Sequence, residues 1–356
     1  MASSALPVSF RSTICWWRRI RRSSRRRADA GRATRLGIWS RLSSAWRRCG
    51  QQRCRQSPRR PAKTQSTSFG YATPQAKRSL DLANPSTIRA IARRFGIRFR
   101  RSWGQNFLAD RHQLERIVGA LELRKTDKVV EVGAGIGTLT VELSPSTAQV
   151  AAVEIDPACV RALGLTLRRY PNIQVVEGNI LELPVATLVP PPYRVAGNIP
   201  YSLTGALFVQ LLEQTPPPDR IDLLVQEEVA QRIVAPPGGW SLATIGVRVY
   251  GEAQILLRVP RTAFLPPPRV DSALLRIVPA AEPPIPRADL PSFFRFVTPF
   301  FQARRKQLPF VLARQRHVTR AEARARLAVI GIDPIRRPET LTLVEWRQVF
   351  ESERNG

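Results

Sequence analysis

Short runs of small and β-branched apolar residues recur between Lys128 and Gln226, each bounded by glycine, proline or a polar turn. Lys128–Val132, Val150–Val153, Val175–Ile180, Arg194–Gly197 and Ile221–Gln226 have strand length. They are apolar on successive positions, as strands covered on both faces are. Segments of helical spacing lie between and before them. Over 111–123 the residues Leu114, Ile117, Val118 and Leu121 share one face, and Leu139, Val141 and Leu143 continue an apolar pattern after Gly137. Ser86–Phe95 reads as a short capped helix. Strands alternating with helices predict an α/β fold, Rossmann-like, with a largely parallel sheet and helices on both faces. Ligands of such sheets bind at the carboxyl ends of the strands.

Later in the chain, Ala253–Arg258 and Ala273–Val278 predict two more strands, flanking the proline-rich block Phe264–Ser272. Residues 279–291 are again rich in proline, and 292–356 alternate apolar and basic positions at helical spacing. The expected organisation is a tail over 1–80, a ligand-binding domain over 81–280, a linker over 281–291 and a small helical domain over 292–356.

Charge sharpens this picture. The formal net charge is +29, and residues 1–80 hold 20 of the 56 Lys and Arg residues but one of the 27 acids, Asp29. The body therefore still carries 36 basic against 26 acidic residues, a balance suited to a nucleic-acid partner. The tail shows no sustained period and is expected to be disordered. It reads as an organellar transit peptide, as an RNA-binding arm, or as sequence translated upstream of the true start. The abrupt improvement in pattern at Asp81 favours the last reading, although the chain's single Met means such a start would use another codon, for instance at Leu80 or Leu82. Neither the four cysteines nor His112 and His317 make a zinc site or a disulfide framework by their spacing, so no metal and a reducing, cytoplasmic setting are expected.

The strand Lys128–Val132 runs into Gly133-Ala134-Gly135-Ile136-Gly137, and the next strand ends at Glu154. Glycines let backbone approach a ligand closely, and an acid at the neighbouring strand's end can accept from ribose hydroxyls. A dinucleotide fingerprint would place its third glycine at Thr138. Here Gly137 comes one residue early, which favours S-adenosylmethionine over a nicotinamide cofactor. The fourth strand ends in Asn198-Ile199-Pro200-Tyr201. An Asn oxygen and the following carbonyl are two acceptors for an exocyclic amine, proline stiffens the turn, and the ring offers a stacking face.

These residues resemble the ribosomal RNA adenine N6-dimethyltransferase family, most closely its small-subunit (16S) members. The resemblance runs from about Leu82 to Glu351. It rests on Gly104–Leu108, Glu131–Gly137, Val153–Asp156, Asn198–Tyr201, Phe264–Ser272, Phe301–Leu308, Gly331–Pro334 and Arg337–Glu339. It implies a methyltransferase that dimethylates two adjacent adenosines near the 3′ end of 16S rRNA in the immature small subunit. It implies a monomer, with S-adenosylmethionine held by Asn106, Leu108, Gly133, Gly135, Glu154, Ile155, Asn179, Ile180 and Asn198. Asn179 stands where the family usually has Asp, so the bond to the cofactor's adenine loses its charge assistance. The resemblance assigns the target base to Asn198, Ile199, Pro200 and Tyr201, with Phe264 a second stacking face, and RNA contact to Arg100, Arg101, Arg304, Arg305 and Lys306. Rival expectations are a 23S adenine methyltransferase of the macrolide-resistance type, a DNA adenine methyltransferase, and a small-subunit assembly factor whose methylation is dispensable.

Overall fold

The structure is a computed structural model that describes residues 80–99, 105–303 and 305–355. The expected disordered tail therefore lies outside the described residues. At the heart of the fold is a seven-stranded sheet built from β2 (Lys128–Val132), β3 (Gln149–Glu154), β4 (Ile173–Glu177), β5 (Arg194–Asn198), β6 (Arg220–Gln226), β7 (Gly251–Val259) and β9 (Ser272–Pro279). Its order is β4-β3-β2-β5-β6-β9-β7. The first five of these strands are mutually parallel, while β9 runs antiparallel between β6 and β7. The chain steps outward from β2 to β4 and then crosses back to β5. The sheet therefore reverses direction between β2 and β5, where a ligand crevice opens in folds of this kind. Two short strands, β1 (Phe107–Leu108) and β8 (Phe264–Leu265), pair separately and antiparallel.

The helices form where local sequence signals start and stop them. The helix α1 (Pro85–Phe95) begins one residue earlier than expected, because Asn84 rather than Ser86 caps it and Pro85 takes the first turn; Gly96 ends it at φ 69°. Asp110 caps α2 (Arg111–Leu121), accepting from the Gln113 amide at 3.0 Å. The helix expected after the glycine loop is a single turn, α3 (Thr140–Leu143), because Pro145 interrupts it. Asp156 caps α4 (Pro157–Thr166), and α5 (Thr204–Leu212), α6 (Glu227–Val234) and α7 (Leu242–Arg248) complete the layers. The third strand, expected over Val175–Ile180, starts two residues earlier and ends three residues earlier, and Gly178 hands the chain to a turn at Asn179.

Four helices come after the sheet: α8 (Leu290–Gln302), α9 (Leu308–Arg316), α10 (Arg320–Val329) and α11 (Leu343–Asn355). Their core is aromatic. Phe300 meets Trp346 edge-on with ring centres 5.2 Å apart, and Phe293 meets Phe350 at 5.4 Å. This core is continuous with that of the sheet. Val225, Leu275 and Tyr250 belong to the same apolar cluster as Phe293 and Trp346, and Ile285 in the proline-rich stretch is buried in it. No helix among the described residues is long and apolar enough to cross a membrane.

Away from the crevice, at the amino ends of β5 and β6, the fold is tied by a buried guanidinium. Arg276 on β9 pairs with Asp222 on β6 at 2.7 Å, reaches Glu122 at 2.8 Å and donates to the Ala120 carbonyl at 2.7 Å. It thereby fixes the end of α2 to the sheet, with Arg194 bonding the Leu121 and Glu122 carbonyls beside it. Replacing Arg276 with Leu strands Asp222 without its partner and is expected to cost about 3–5 kcal/mol of stability. Denaturant unfolding checks this, and an unchanged midpoint would contradict it.

Candidate active site at the carboxyl ends of the parallel strands

The loop after β2 is held from both sides. The Gly133 and Ala134 amides both donate to the Val153 carbonyl, at 2.9 and 3.1 Å, which draws the loop over the end of β3. Glu154 completes the grip. Its Oε2 accepts from the Gly135 amide at 2.7 Å, and its Oε1 accepts from the Ile155 and Asp156 amides at 2.8 and 2.9 Å. Burial raises the Glu154 carboxyl above its ordinary range, and those amides pull it back toward ionisation. Gly133, Gly135 and Gly137 all have positive φ, which L side chains rarely adopt. At Gly135 a Cβ would also stand 3.0 Å from the Phe107 ring. The loop is closed from its outer side by Leu82, whose carbonyl accepts from the Thr138 hydroxyl at 3.1 Å.

Glu131 lies beneath this loop, on β2, and is 1% exposed. Its Oε2 has no hydrogen-bond partner among the described residues. Burial pushes its pKa up to about 8; the Thr140 hydroxyl acts against that shift and the Glu154 charge adds to it. A buried carboxylate oxygen lacking a partner suits a ligand that brings positive charge or a donor. Directly after Glu154, Ile155 is 53% exposed although apolar, while Ile180 is buried. An exposed isoleucine at a strand end is a ready face for a flat base. Asn179 accepts from the Leu181 amide at 3.1 Å and donates to Glu182 at 2.7 Å, so its oxygen retains a second lone pair. These residues fit S-adenosylmethionine: a glycine cradle, an unsatisfied acid at its floor, and an apolar face with an acceptor at its edge.

At the end of β5, Gly197 lets the strand lie tight against β2. A Cβ there would come within 2.4 Å of the Val132 carbonyl, so the strands approach too closely for any side chain. The Asn198 Nδ2 donates to the Asn106 carbonyl at 2.7 Å. A carbonyl can only accept, so this bond assigns the amide's two ends and directs Oδ1 elsewhere as an acceptor. Ile199 is buried. The Pro200 carbonyl accepts from the Leu203 amide at 2.8 Å, closing the turn. Tyr201 is half-buried, and its hydroxyl lies 2.7 Å from Oγ of the fully buried Ser272.

Thus Asn106, Gly133, Gly135, Glu154 and Asn198 are joined through direct bonds or shared partners around one crevice, with Leu108 buried in β1. Phe264 is placed differently from a free stacking face. It is 3% exposed in an apolar cluster with Leu108, Leu114 and Leu274, and a stacking role would require it to leave that cluster. Arg100, Arg101 and Arg304 lie outside the described residues. Arg305 and Lys306 are exposed in the turn before α9, where the Lys306 ammonium stands 5.2 Å from the centre of the Phe310 ring. Sequence reasoning missed Gly197 and Ser272 as site residues. A glycine inside an otherwise apolar strand was the available signal for the first. No local signal pointed to Ser272, whose partner is 71 residues away. Gln105 is a further case. Its Nε2 donates to Asp156 at 3.1 Å, so it ties the segment before β1 to the cap of α4.

The raised pKa of Glu131 carries a pH signature. The folded protein holds this proton more tightly than the unfolded chain does. Its contribution is therefore fully present below the ordinary carboxylate range and is lost as pH rises toward about 8. The ligand-free protein should lose thermal stability over that interval, and Glu131→Gln should flatten the loss. Parallel melting-temperature curves for the two proteins would contradict the assignment.

Comparison with known proteins places the chain in a family. The family described as Ribosomal RNA adenine dimethylase matches residues 96–351. The chain is 37% identical over 263 residues to Ribosomal RNA small subunit methyltransferase A of Dehalococcoides mccartyi strain 195, covering 72% of this chain and 88% of that protein. It is 36% identical over 283 residues to the protein of the same name from Listeria monocytogenes serotype 4a, covering 76% and 96%. Among solved structures, the 23S rRNA methyltransferase ErmE superposes with a TM-score of 0.57 at 32% identity, covering 69% of this chain and 99% of its own. A dimethyladenosine transferase from Plasmodium falciparum superposes with a TM-score of 0.59 at 22% identity, covering 69% and 96%, and shares the fold. With its glycine cradle, its oriented asparagine and a match spanning most of its length, the chain belongs to the ribosomal RNA adenine dimethylase family.

Proposed function

We propose that this protein uses S-adenosylmethionine to dimethylate N6 of two adjacent adenosines near the 3′ end of 16S rRNA. Its substrate is the immature small subunit, and it acts as a monomer in the cytoplasm. The observation that carries the reading is the bond from Asn198 Nδ2 to the Asn106 carbonyl. That bond fixes which end of the amide is nitrogen and turns the oxygen away from Asn106 as an acceptor, and an exocyclic amine has hydrogens to give it. The small-subunit assignment is supported by identities of 34–37% to relatives named for that substrate.

The bound cofactor supplies an electrophilic methyl group on a positively charged sulfur. The chain's own part is binding, orientation and exclusion of water. Glu154 and the glycine loop hold the nucleoside end, with Asn179 accepting from the base and Ile155 and Ile180 flanking it. Glu131, ionised once a positive ligand sits above it, completes the floor. The target adenosine is turned out of its stack, as enzymes acting on bases commonly require. Tyr201, steadied by Ser272, offers its ring to the base. Asn198 Oδ1 and the Ile199 carbonyl accept from the amine, which keeps the nitrogen lone pair aimed at the methyl carbon. The acceleration comes mainly from this positioning. No strong base would be needed, because the amine, once methylated, can shed its extra proton to water. A monomethylated amine still has one hydrogen for Asn198 to accept, so a second transfer occurs with fresh cofactor.

The 32% identity to ErmE makes a 23S substrate the competing reading. Tritium transfer from labelled S-adenosylmethionine to undermethylated small subunits separates the two. The wild-type protein should label 16S rRNA, and Asn198→Ala should reduce transfer by roughly 10²-fold or more while cofactor binding survives. Label in 23S rRNA alone would sink the small-subunit assignment.

A further inference from the structure

About half of the described arginines elsewhere in the fold are matched to acids, among them Arg111 to Asp81 and Glu142, Arg194 to Asp127, Arg276 to Asp222, Arg316 to Glu353 and Arg336 to Glu345. The face made by α1 and α4 departs from this pattern. The sequence holds no acid between Asp81 and Asp110, and none between Asp156 and Glu177. Arg89, Arg93 and Arg94 on α1, Arg98 just beyond it and Arg161 on α4 are all exposed. None of the five forms an ion pair with a carboxylate among the described residues.

Packing brings these charges together. Ile88, Ile91 and Ala92 of α1 bury themselves with Cys159 and Ala162 of α4 in one apolar cluster. Their Arg neighbours are thereby turned outward, and the Arg161 guanidinium donates to the Phe95 carbonyl at 3.4 Å. Arg89 and Arg93 stand on successive turns, about 6 Å apart along the helix axis. The same cluster contains Ile136 of the glycine loop and Phe107, whose ring stands against Gly135, so the charged face backs onto the cofactor side of the active-site crevice. Leaving several guanidinium groups side by side without acids costs repulsion, which a polyanion removes. Guanidinium groups also match phosphate oxygens in a planar, bidentate way.

We propose that the α1–α4 face is an RNA-binding surface that grips phosphates of the strand bearing the target adenosine, separate from the basic C-terminal helices. It rests on the rRNA methyltransferase reading above and specifies how the RNA is held against the cofactor side of the crevice. Its contacts are electrostatic and independent of sequence, so they position the strand and leave base choice to Asn198 and Tyr201.

The test is the triple variant Arg89→Gln, Arg93→Gln, Arg94→Gln, whose exposed positions and helix-compatible replacements preserve α1. Binding to a small-subunit RNA fragment is measured across a salt series, alongside cofactor affinity and the kinetics of methyl transfer. The slope of log affinity against log salt should fall by roughly two to three, and affinity at low salt should drop by about tenfold or more. KM for RNA should rise with it, while kcat and cofactor affinity hold. The control variant Arg232→Gln, Arg248→Gln, Arg347→Gln removes equal charge from residues already paired with Glu228, Glu252 and Glu351, and should keep the wild-type slope. An unchanged slope in the first variant, or an equal fall in the control, overturns the proposal while the methyltransferase reading stands. A wild-type protein that binds cofactor but neither binds nor methylates rRNA overturns that reading and this surface with it.

Discussion

The hydrogen bond from Asn198 Nδ2 to the Asn106 carbonyl joins two segments 92 residues apart, and the proposed chemistry of the site depends on it. An unrestrained asparagine offers a donor and an acceptor with equal ease, and a target amine cannot be oriented by a group that turns over. Committing the nitrogen to a carbonyl removes the ambiguity. That requires the segment carrying Asn106 to be fixed, and it is fixed twice. Gln105 bonds to Asp156, and β1 pairs with β8 while the Ala109 amide donates to the Ala263 carbonyl at 2.7 Å. It also requires β5 to come close to β2, which only Gly197 permits.

A second constraint is electrostatic. Burial raises the cost of ionising both Glu131 and Glu154, which lie within the same small region, and the Glu154 charge adds to that cost for Glu131. Glu154 offsets this with three backbone amides, whereas one oxygen of Glu131 lacks a partner among the described residues. The protein thus keeps one acid committed to shaping the loop and another in reserve beneath it. A cationic ligand is the natural complement to such an arrangement, and it would move the Glu131 proton as it binds.

Much of this was legible in the chain. The parallel strands announce themselves as valine-rich runs because both of their faces are covered, and the glycine loop, Glu154 and the Asn198 turn fall at their carboxyl ends in the expected order. The features that escaped have common physical causes. The helix after Gly137 shrank to one turn because a proline sits inside an apolar pattern that alone suggested more. The insertion of β9 between β6 and β7 depends on strand pairing at long range, which periodicity does not encode. The family resemblance offered Phe264 as a second stacking face, yet β8 pairing folds it into the core. Ser272 supports Tyr201 from a distant strand, and no residue pattern links the two.

The central claim is that the Asn198 nitrogen must donate and its oxygen must accept. Single-turnover methyl transfer by Asn198→Asp, tracked across pH, tests it most directly. An ionised carboxylate cannot donate to the Asn106 carbonyl, so activity at neutral pH should fall by about two orders of magnitude. It should recover as acid protonates the carboxyl and restores a donor. An aspartate variant as fast as the wild type at neutral pH would contradict the account.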